Sequence, residues 1–202
     1  MCIRDRENTL IKNLLLANDV PEKDAISLAA VVTHSDFTGT YSHGLSRLCI
    51  YLRQYMAGAL VAQPEWKIVK DEGAAISFDC GGGSGIVAVN TVYDEVLKRA
   101  RKYGVAAGTG RHSANIGCGG YYGHRMAEDN VIGIVMSNTY PCQAPYLGAD
   151  RLIGTNPIIM GAPTSNPERP IVIDISTSGV AIGKVQAYRL SLIHISEPTR
   201  PY

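Results

Sequence analysis

The chain has 202 residues, of which 19 are Lys or Arg and 18 are Asp or Glu, so its formal net charge is +1. No basic run stands out, so the sequence lacks the electrostatic footprint of a nucleic-acid or membrane-surface binder. No apolar run reaches the roughly 18–20 residues that span a bilayer. The internal cysteines form no CxxC pair and lie at no metal-ligand spacing; they are Cys49, Cys80, Cys118 and Cys142. We expect a cytoplasmic, mixed α/β protein with reduced thiols and no metal, nucleic-acid or membrane partner.

Both ends of the chain match translations of the DNA that is added to a gene when a sequencing library is prepared. Residues 190–202, LSLIHISEPTRPY, match a transposase mosaic end followed by a sequencing adaptor, and residues 1–6, MCIRDR, match the opposite strand of that mosaic end. Such adaptor-derived residues are not part of the natural fold, and we expect both tails to be unstructured or detached. The alternative for the C-terminal residues is a natural polar tail. We interpret residues 7–189 as an internal fragment of a longer gene, and we expect the chain of residues 1–202 to be inactive and poorly stable.

The predicted elements begin with three helices and continue as alternating strands and helices. The helices cover residues 9–18, 21–35 and 42–57. The third helix starts at Ser42, stops at Gly58 and buries an apolar stripe made of Leu45, Leu48, Cys49, Leu52, Tyr55 and Met56. A composition shift at 61–72 indicates the end of the helical start. The elements that follow are a strand at 74–80, a glycine turn at 81–85, helices at 86–103 and about 121–128, and buried strands at 131–138 and 171–176.

The glycine cluster DCGGGSG, residues 79–85, stands between a predicted strand and a predicted helix. Gly81, Gly83 and Gly85 fit only part of the G-x-G-x-x-G pattern, because position 86 is Ile. The following segment GVAAGTGRHS also lacks the acidic residue that holds the ribose in a Rossmann unit. The pattern favours a plain strand-to-helix turn over a dinucleotide-binding phosphate loop.

The segment TYSHGLSRL, residues 40–48 and called the SHG segment below, places three polar side chains at the start of the third helix. If Ser42 is the N-cap, His43 and Arg47 share one face, away from the Leu45 stripe. The positive end of the helix dipole favours the neutral imidazole, and arginine can present a planar fork to a carboxylate. Two interpretations stay open at this point: a capped helix with a solvated polar face, or a site for a small 2-oxo acid.

Five motifs, taken in order, decide between these interpretations. They are SDFTGTYSHGLSRL with a following Tyr, IGCGGYY, IGIVMSN, LIGTNPI and IVIDISTSGVAIGKV. Together they resemble the malate/L-lactate dehydrogenase family of NAD(P)-dependent oxidoreductases over essentially all of residues 7–189. That group also contains ureidoglycolate, sulfolactate and 2,3-diketogulonate enzymes and Δ1-piperideine-2-carboxylate reductases, and it is distinct from the Rossmann malate and lactate dehydrogenases.

The resemblance implies an α/β fold in which an N-terminal helical segment precedes a mostly antiparallel, non-Rossmann nucleotide-binding sheet with flanking helices. Residues 7–70 would form the helical segment with the SHG motif, and residues 71–189 an incomplete cofactor-binding domain. The complete protein would be a homodimer.

The resemblance also implies roles for particular residues. His43 would be the acid/base, Ser42 would orient it, and Lys184 would lie close to the reacting centre. Arg47 would bind the substrate carboxylate, and Thr155 would contact the substrate. The implied cofactor-binding residues are His112, Asn115, Ile116, Ser137, Asp174, Ile175 and Ser176.

One position departs from the family pattern. Many members carry a histidine where this chain has Asn115, and that histidine transfers a proton or binds the cofactor. Either Asn115 replaces it, or His112, one helical turn earlier, does similar work. Asparagine cannot accept a proton at neutral pH, so the proton-transfer role falls to His43.

The sequence therefore predicts an oxidoreductase that moves hydride between NAD or NADP and a small 2-hydroxy or 2-oxo acid such as malate or lactate. An imine-acid reductase of the same family is the close alternative. A non-catalytic protein that binds a small ligand on the same scaffold is the alternative from another class.

Overall fold

The computed structural model describes residues 2–179, which pack as two compact units. The first unit ends at Cys118, and the second begins at Gly119. The predicted α/β class is confirmed, since helices flank a small sheet in each unit. Within residues 2–179, no helix is both long and apolar enough to cross a membrane.

Two helices, α1 (Ile3–Leu16) and α2 (Glu22–Phe37), open the first unit. Ile11 and Leu15, four residues apart on α1, are fully buried, as are Val31 and Val32 on α2. Apolar residues at this spacing form one helical face, and their burial holds the two helices together.

The helix α1 starts inside the tail that was expected to be unstructured. Residues 3–6 are helical and exposed, and Asp5 Oδ2 accepts a hydrogen bond from the Cys2 N–H at 3.0 Å. This expectation was wrong for residues 3–6, because a segment without Gly or Pro readily extends a helix that is already nucleated. Residues 190–202 lie outside the described part of the chain.

A 3₁₀ turn, Tyr41–His43, leads into α3 (Leu45–Met56). The residues that α3 buries are Leu48, Tyr51 and Tyr55, whereas Leu45 is 38% exposed and Met56 is 78% exposed. The predicted stripe was therefore rotated from the observed one, because it ignored Tyr51 and counted the exposed ends of the helix.

The sheet of the first unit contains β1 (Lys67–Glu72), β2 (Ala75–Gly83) and β3 (Ala107–Ser113) in that order. β1 pairs with β2 antiparallel, and β2 pairs with β3 parallel through the crossover helix α4 (Gly85–Tyr103). Alternate residues of β2 face α4 and form a core with it; they are Ile76, Phe78 and Cys80. β1 begins before the predicted domain boundary at 70/71, which remains a prediction for the complete protein.

The glycine cluster at the end of β2 packs against the protein itself. A Cβ on Gly81 would lie 2.7 Å from the Glu65 carbonyl oxygen, and one on Gly83 would lie 2.7 Å from Pro64. The backbone faces that a pyrophosphate would need are therefore filled by residues 64–65. This observation supports the plain turn and is inconsistent with a Rossmann phosphate loop.

The second unit contains α5 (Gly119–Glu128) and an antiparallel sheet of β4 (Gly133–Met136), β5 (Ile158–Ala162) and β6 (Ile171–Ile175), in that order. α5 lies on the central strand, where a Cβ on Gly161 would overlap the Gly123 backbone. Ile159, Tyr122 and Met126 are buried between them. The two predicted strands of this unit are present with shorter bounds, and β5 was not predicted.

Candidate active site

The SHG segment holds a histidine against a serine hydroxyl. Ser42 Oγ lies 3.0 Å from His43 Nδ1, and both side chains are half-buried. A contact at this distance restrains the rotation of the imidazole ring and engages Nδ1. Nε2 is then the ring nitrogen that could exchange a proton with a ligand.

The helix α3 is capped by Asp36 and not by Ser42. Asp36 Oδ2 accepts a hydrogen bond from the Leu45 N–H at 2.7 Å. Gly44 is the residue before the helix, and a Cβ there would overlap the Asp36 carboxylate. The prediction that Ser42 caps the helix was wrong, since a side chain from the end of α2 takes that place. His43 consequently lies in the 3₁₀ turn before α3 and does not share a helical face with Arg47.

Arg47 lies on the buried side of α3. It is half-buried, and it stands four residues before Tyr51, so the two side chains are neighbours on the helix surface. The Arg47 Nε is buried and has no hydrogen-bond partner among the described residues. A buried N–H without an acceptor carries a desolvation penalty that a carboxylate ligand would relieve.

Asn115 lies next to Tyr51 in the first unit. The Tyr51 hydroxyl group donates a hydrogen bond of 2.7 Å to Asn115 Oδ1, and the Gly117 N–H donates one of 2.9 Å to the same oxygen. Burial raises the pKa of Tyr51 to about 12, although the Arg47 guanidinium beside it acts in the opposite direction. Tyr51 is therefore protonated at neutral pH and available as a donor.

His112 has a different environment. Its Nδ1 lies 3.0 Å from an oxygen of Asp79, and its side chain is 68% exposed. Hydrogen bonds from the Gly81 N–H, and then from His112 and Arg111, hold the pKa of Asp79 below its ordinary value. Of the two residues considered as replacements for the family histidine, Asn115 is the one that shares the Tyr51 contact with Arg47.

Ile116, which follows Asn115, is 8% exposed. Its side chain belongs to the core of the first unit.

The second unit gathers hydroxyl groups at one edge of its sheet. Met136 and Ile175 both lie opposite Ile158, so β4 and β6 run in the same direction and end together. Ser137 and Ser176 are the next residues, two strand spacings or about 10 Å apart. The segment that contains Thr155 leads into β5 at the same edge.

Thr155 is held by its neighbours within this edge. Its N–H donates to Thr139 Oγ1 at 2.7 Å, and its carbonyl oxygen accepts from the Thr177 N–H at 2.9 Å. Asn156, which has a φ of 38°, accepts a hydrogen bond from the Thr139 N–H at 3.0 Å. The GTNP motif is thus a tight turn in which the Thr155 backbone is fixed from both sides.

Ser137 and Ser176 make local contacts at the sheet edge. Ser137 Oγ donates to the Asn138 carbonyl oxygen at 3.0 Å, and Ser176 Oγ lies 2.8 Å from Ser178 Oγ. The neighbouring Ile175 is 53% exposed. The hydroxyl groups therefore remain near the surface of this edge.

Asp174 closes the N-terminus of α5. Its Oδ2 accepts a hydrogen bond from the Gly120 N–H at 2.7 Å, and a Cβ on Gly119 would lie 2.7 Å from Oδ1. A carboxylate at this position is stabilised by the positive end of the helix dipole. Lys184, predicted to be catalytic, lies outside the described residues.

No group of three His, Cys, Asp or Glu side chains in residues 2–179 could hold a metal ion. The candidate residues therefore form two groups. The first unit contains Ser42, His43, Arg47, Tyr51 and Asn115, and the second contains the hydroxyl-lined edge of the sheet.

Comparison with known proteins assigns the chain to a family. The family model for malate/L-lactate dehydrogenase matches residues 4–198. The chain belongs to the malate/L-lactate dehydrogenase family.

Individual relatives agree with the family model. Malate dehydrogenase from Pyrococcus horikoshii is 34% identical over 186 residues, which are 92% of this chain and 51% of that protein. The (2R)-3-sulfolactate dehydrogenase (NADP(+)) from Chromohalobacter salexigens is 34% identical over 183 residues, 91% of this chain and 54% of that protein. The solved structure of Δ1-piperideine-2-carboxylate reductase from Pseudomonas syringae has a TM-score of 0.86 and 26% identity, covering 93% of this chain and 56% of that one. The chain spans about half the length of the curated relatives it matches.

Sequence reasoning missed three residues that build the site. Asp36 was missed because its partner Leu45 lies beyond a local capping pattern, and Thr139 because it contacts Thr155 from a separate loop. Tyr51 offered a signal, since a tyrosine on a buried helical stripe needs a partner for its hydroxyl group.

Proposed function

We propose that the complete gene product is an NAD(P)-dependent oxidoreductase of small 2-hydroxy and 2-oxo acids. The observation that carries this proposal is the SHG segment and the helix that follows it. There, a histidine braced by a serine hydroxyl precedes an arginine whose buried Nε has no partner in residues 2–179. A proton donor and a carboxylate binder are the two groups that reduction of a 2-oxo acid requires from the protein.

His43 would transfer the proton in this reaction. As the substrate carbonyl carbon receives hydride, its oxygen becomes basic and takes a proton from His43; in the reverse direction His43 accepts it. The Ser42 hydroxyl group restrains the imidazole ring of His43 through its contact with Nδ1, and this contact also fixes the direction in which Nε2 points. Arg47 would bind the carboxylate and so fix the position of the carbonyl group.

The polar edge of the second unit fits a nicotinamide cofactor. Its hydroxyl groups are neutral donors and acceptors of the kind that bind a carboxamide and ribose hydroxyls, and Ser137, Thr155 and Ser176 would contribute them. When bound, the cofactor supplies or accepts the hydride. We retain Asp174 and Ile175 as further residues of this site and Lys184 as a residue near the reacting centre.

The substrates named for the relatives indicate which substrates the complete gene product could use. Malate, sulfolactate and a cyclic imine acid all carry a carboxylate next to the reacting carbon, the feature that Arg47 would recognise. A malate- or lactate-like acid is the first choice, and an imine acid is the second. The relative named for NADP(+) keeps both cofactor forms as candidates. We also propose that the complete protein is cytoplasmic, in line with the free cysteines of residues 2–179, and that it is a homodimer, as the family resemblance implies.

The test is steady-state oxidation of NADH and of NADPH by the complete gene product. The substrate panel contains oxaloacetate, pyruvate, sulfopyruvate and Δ1-piperideine-2-carboxylate. We expect turnover with at least one 2-oxo acid, and a fall in kcat of about 10²- to 10⁴-fold in His43→Ala because general acid catalysis is lost.

The matched control is His124→Ala, which removes a half-buried histidine on α5 and should leave kcat within about twofold. Normal turnover by His43→Ala would overturn the acid/base assignment. Failure of the unmodified protein to oxidise either cofactor with any of the four substrates would overturn the proposed function.

A further inference from the structure

The hydrogen bonds around Asn115 determine which way its amide group points. The Gly117 backbone N–H can only donate, so the atom 2.9 Å from it must be the amide oxygen Oδ1. The Tyr51 hydroxyl group contacts that same oxygen at 2.7 Å and must therefore donate to it. Two donors thus hold the Asn115 side chain in one orientation.

This orientation leaves the nitrogen of the amide as the part available to a ligand. Nδ2 carries two N–H groups and makes no hydrogen bond to any residue between 2 and 179. Asn115 is half-buried, so its amide is neither fully solvated nor sealed in the core. It can donate hydrogen bonds to a ligand but cannot accept a proton.

Tyr51 connects this donor to Arg47. Its oxygen donates its single hydrogen to Asn115 and retains lone pairs, and the Arg47 guanidinium lies close enough to act against the rise in the Tyr51 pKa. Tyr51 is itself 3% exposed, so it is enclosed by the core of the first unit, whereas Arg47 and Asn115 are half-buried. Arg47 Nε is a second buried N–H without an acceptor in the described residues.

We propose that Asn115 is a substrate-binding donor for the 2-oxo acid and that Tyr51 is the positioning residue that holds it beside Arg47. The inference rests on the proposed function and changes the role of Asn115 from cofactor binding to substrate recognition. Two neutral N–H groups from Asn115 and the cationic fork of Arg47 suit a ligand rich in acceptors, such as a carboxylate next to a carbonyl oxygen.

The main test is Asn115→Asp in the complete gene product. Aspartate retains an oxygen that accepts from Tyr51 and from Gly117, but it replaces the amide donor with a second acceptor. We expect the KM for the 2-oxo acid to rise at least about tenfold, with the KM for the cofactor unchanged. The melting temperature should stay close to that of the unmodified protein.

The second variant is Tyr51→Phe, with Tyr55→Phe as its matched control. Tyr55 is one turn further along α3, is also buried and also has a pKa raised by burial to about 12, but it interacts with Ser84 instead. We expect Tyr51→Phe to raise the KM for the 2-oxo acid several-fold at nearly constant kcat, because Asn115 and Arg47 lose their common support. Tyr55→Phe should leave both constants unchanged.

Calorimetric titration with oxalate, a carboxylate that mimics the 2-oxo acid, separates this inference from the proposed function. If the unmodified protein shows no turnover but binds oxalate, and Asn115→Asp binds it at least about tenfold more weakly, the donor role stands without the dehydrogenase activity. If Asn115→Asp retains normal KM and oxalate affinity, or raises only the KM for the cofactor, the substrate-binding role is wrong.

Discussion

The N-termini of α3 and α5 are each capped by an aspartate beside a glycine, but one aspartate precedes its helix in the chain and the other follows it. In each, an aspartate from another element accepts a backbone N–H at 2.7 Å: Asp36 that of Leu45, and Asp174 that of Gly120. In each, a glycine leaves room for the carboxylate. Asp36 lies 9 residues before its partner, whereas Asp174 lies 54 residues after its partner.

The surroundings of the two glycines differ as well. At Gly44 the atoms that a Cβ would meet belong to the Asp36 carboxylate. At Gly119 they include the fully buried Ile159 in addition to Asp174. The first junction therefore holds the SHG segment through one polar contact, whereas the second joins a helix to a sheet by core packing and a polar contact together.

The largest expected effect is a difference in stability between alanine variants of the two glycines. Gly119→Ala should destabilise the protein by about 3 kcal/mol, because the new methyl group overlaps both Ile159 and Asp174, and a packed core yields little. Gly44→Ala should cost about 1–2 kcal/mol, because the Asp36 side chain can rotate away once it gives up its hydrogen bond. Urea denaturation of the complete gene product measures both.

Gly179→Ala is the control for these variants, since a Cβ at Gly179 has no atom within 4 Å, and its effect should stay within about 0.5 kcal/mol. Equal destabilisation by Gly44→Ala and Gly119→Ala would contradict the distinction between a polar contact and core packing.

The next effect concerns the two aspartates. Asp36→Ala and Asp174→Ala should each cost about 1 kcal/mol, because each removes the acceptor of one N–H at a helix N-terminus. Asp36→Asn and Asp174→Asn should recover most of that loss, because the amide oxygen still accepts the bond. The free energy of unfolding from urea titrations is the measurement, and asparagine variants as unstable as the alanine variants would show that the N–H contact contributes little.

The smallest expected effect is a dependence of the free energy of unfolding on pH, which arises at the junction of α3. Glu7 lies beside Asp36 in the first unit, and burial together with this neighbouring carboxylate raises the pKa of Glu7 above its ordinary value of 4.5. Well below pH 4.5 the Glu7 carboxyl is protonated in both the folded and the unfolded chain, so it contributes nothing to the pH dependence of stability. As the pH rises, the unfolded chain releases the proton first, so stability falls until the pH passes the raised value in the folded protein.

Glu7→Gln should therefore stabilise the protein at neutral pH, by less than about 1 kcal/mol because solvent screens a half-exposed group. It should also flatten the decline above pH 4.5. Melting temperatures at a series of pH values measure the effect, with Glu95→Gln, at an exposed ion pair on α4, as the control. A decline of the same steepness in Glu7→Gln would contradict the assignment.

Much of the fold follows from apolar periodicity, and the exceptions have identifiable causes. β1 was missed because all six of its residues are exposed, and β3 because six of its seven residues are exposed and two are glycines. The apolar stripe of α3 was misplaced because Tyr51 was omitted from it. Hydrophobic patterns identify elements that bury one face, and strands at the edge of a small sheet do not have to do so.

The candidate site divides in the same way. Ser42, His43 and Arg47 could be chosen from the sequence because the SHG motif brings them within six residues of one another. The sequence left open whether Asn115 or His112 replaces the family histidine, since it contains no information on which of them contacts Tyr51, 64 residues before Asn115.

The sequence by itself determined the helices, the strands β2, β4 and β6, the SHG and GTNP motifs and, through them, the family, whereas the buried strand β5 was not predicted. The tertiary structure alone decided that Asp36 caps α3, that Asp174 caps α5 and that the amide oxygen of Asn115 accepts hydrogen bonds from Tyr51 and Gly117. Periodicity and motifs are properties of neighbouring residues, and a local window contains them. A cap or an amide orientation depends on hydrogen bonds between atoms that only folding brings within 3 Å of each other.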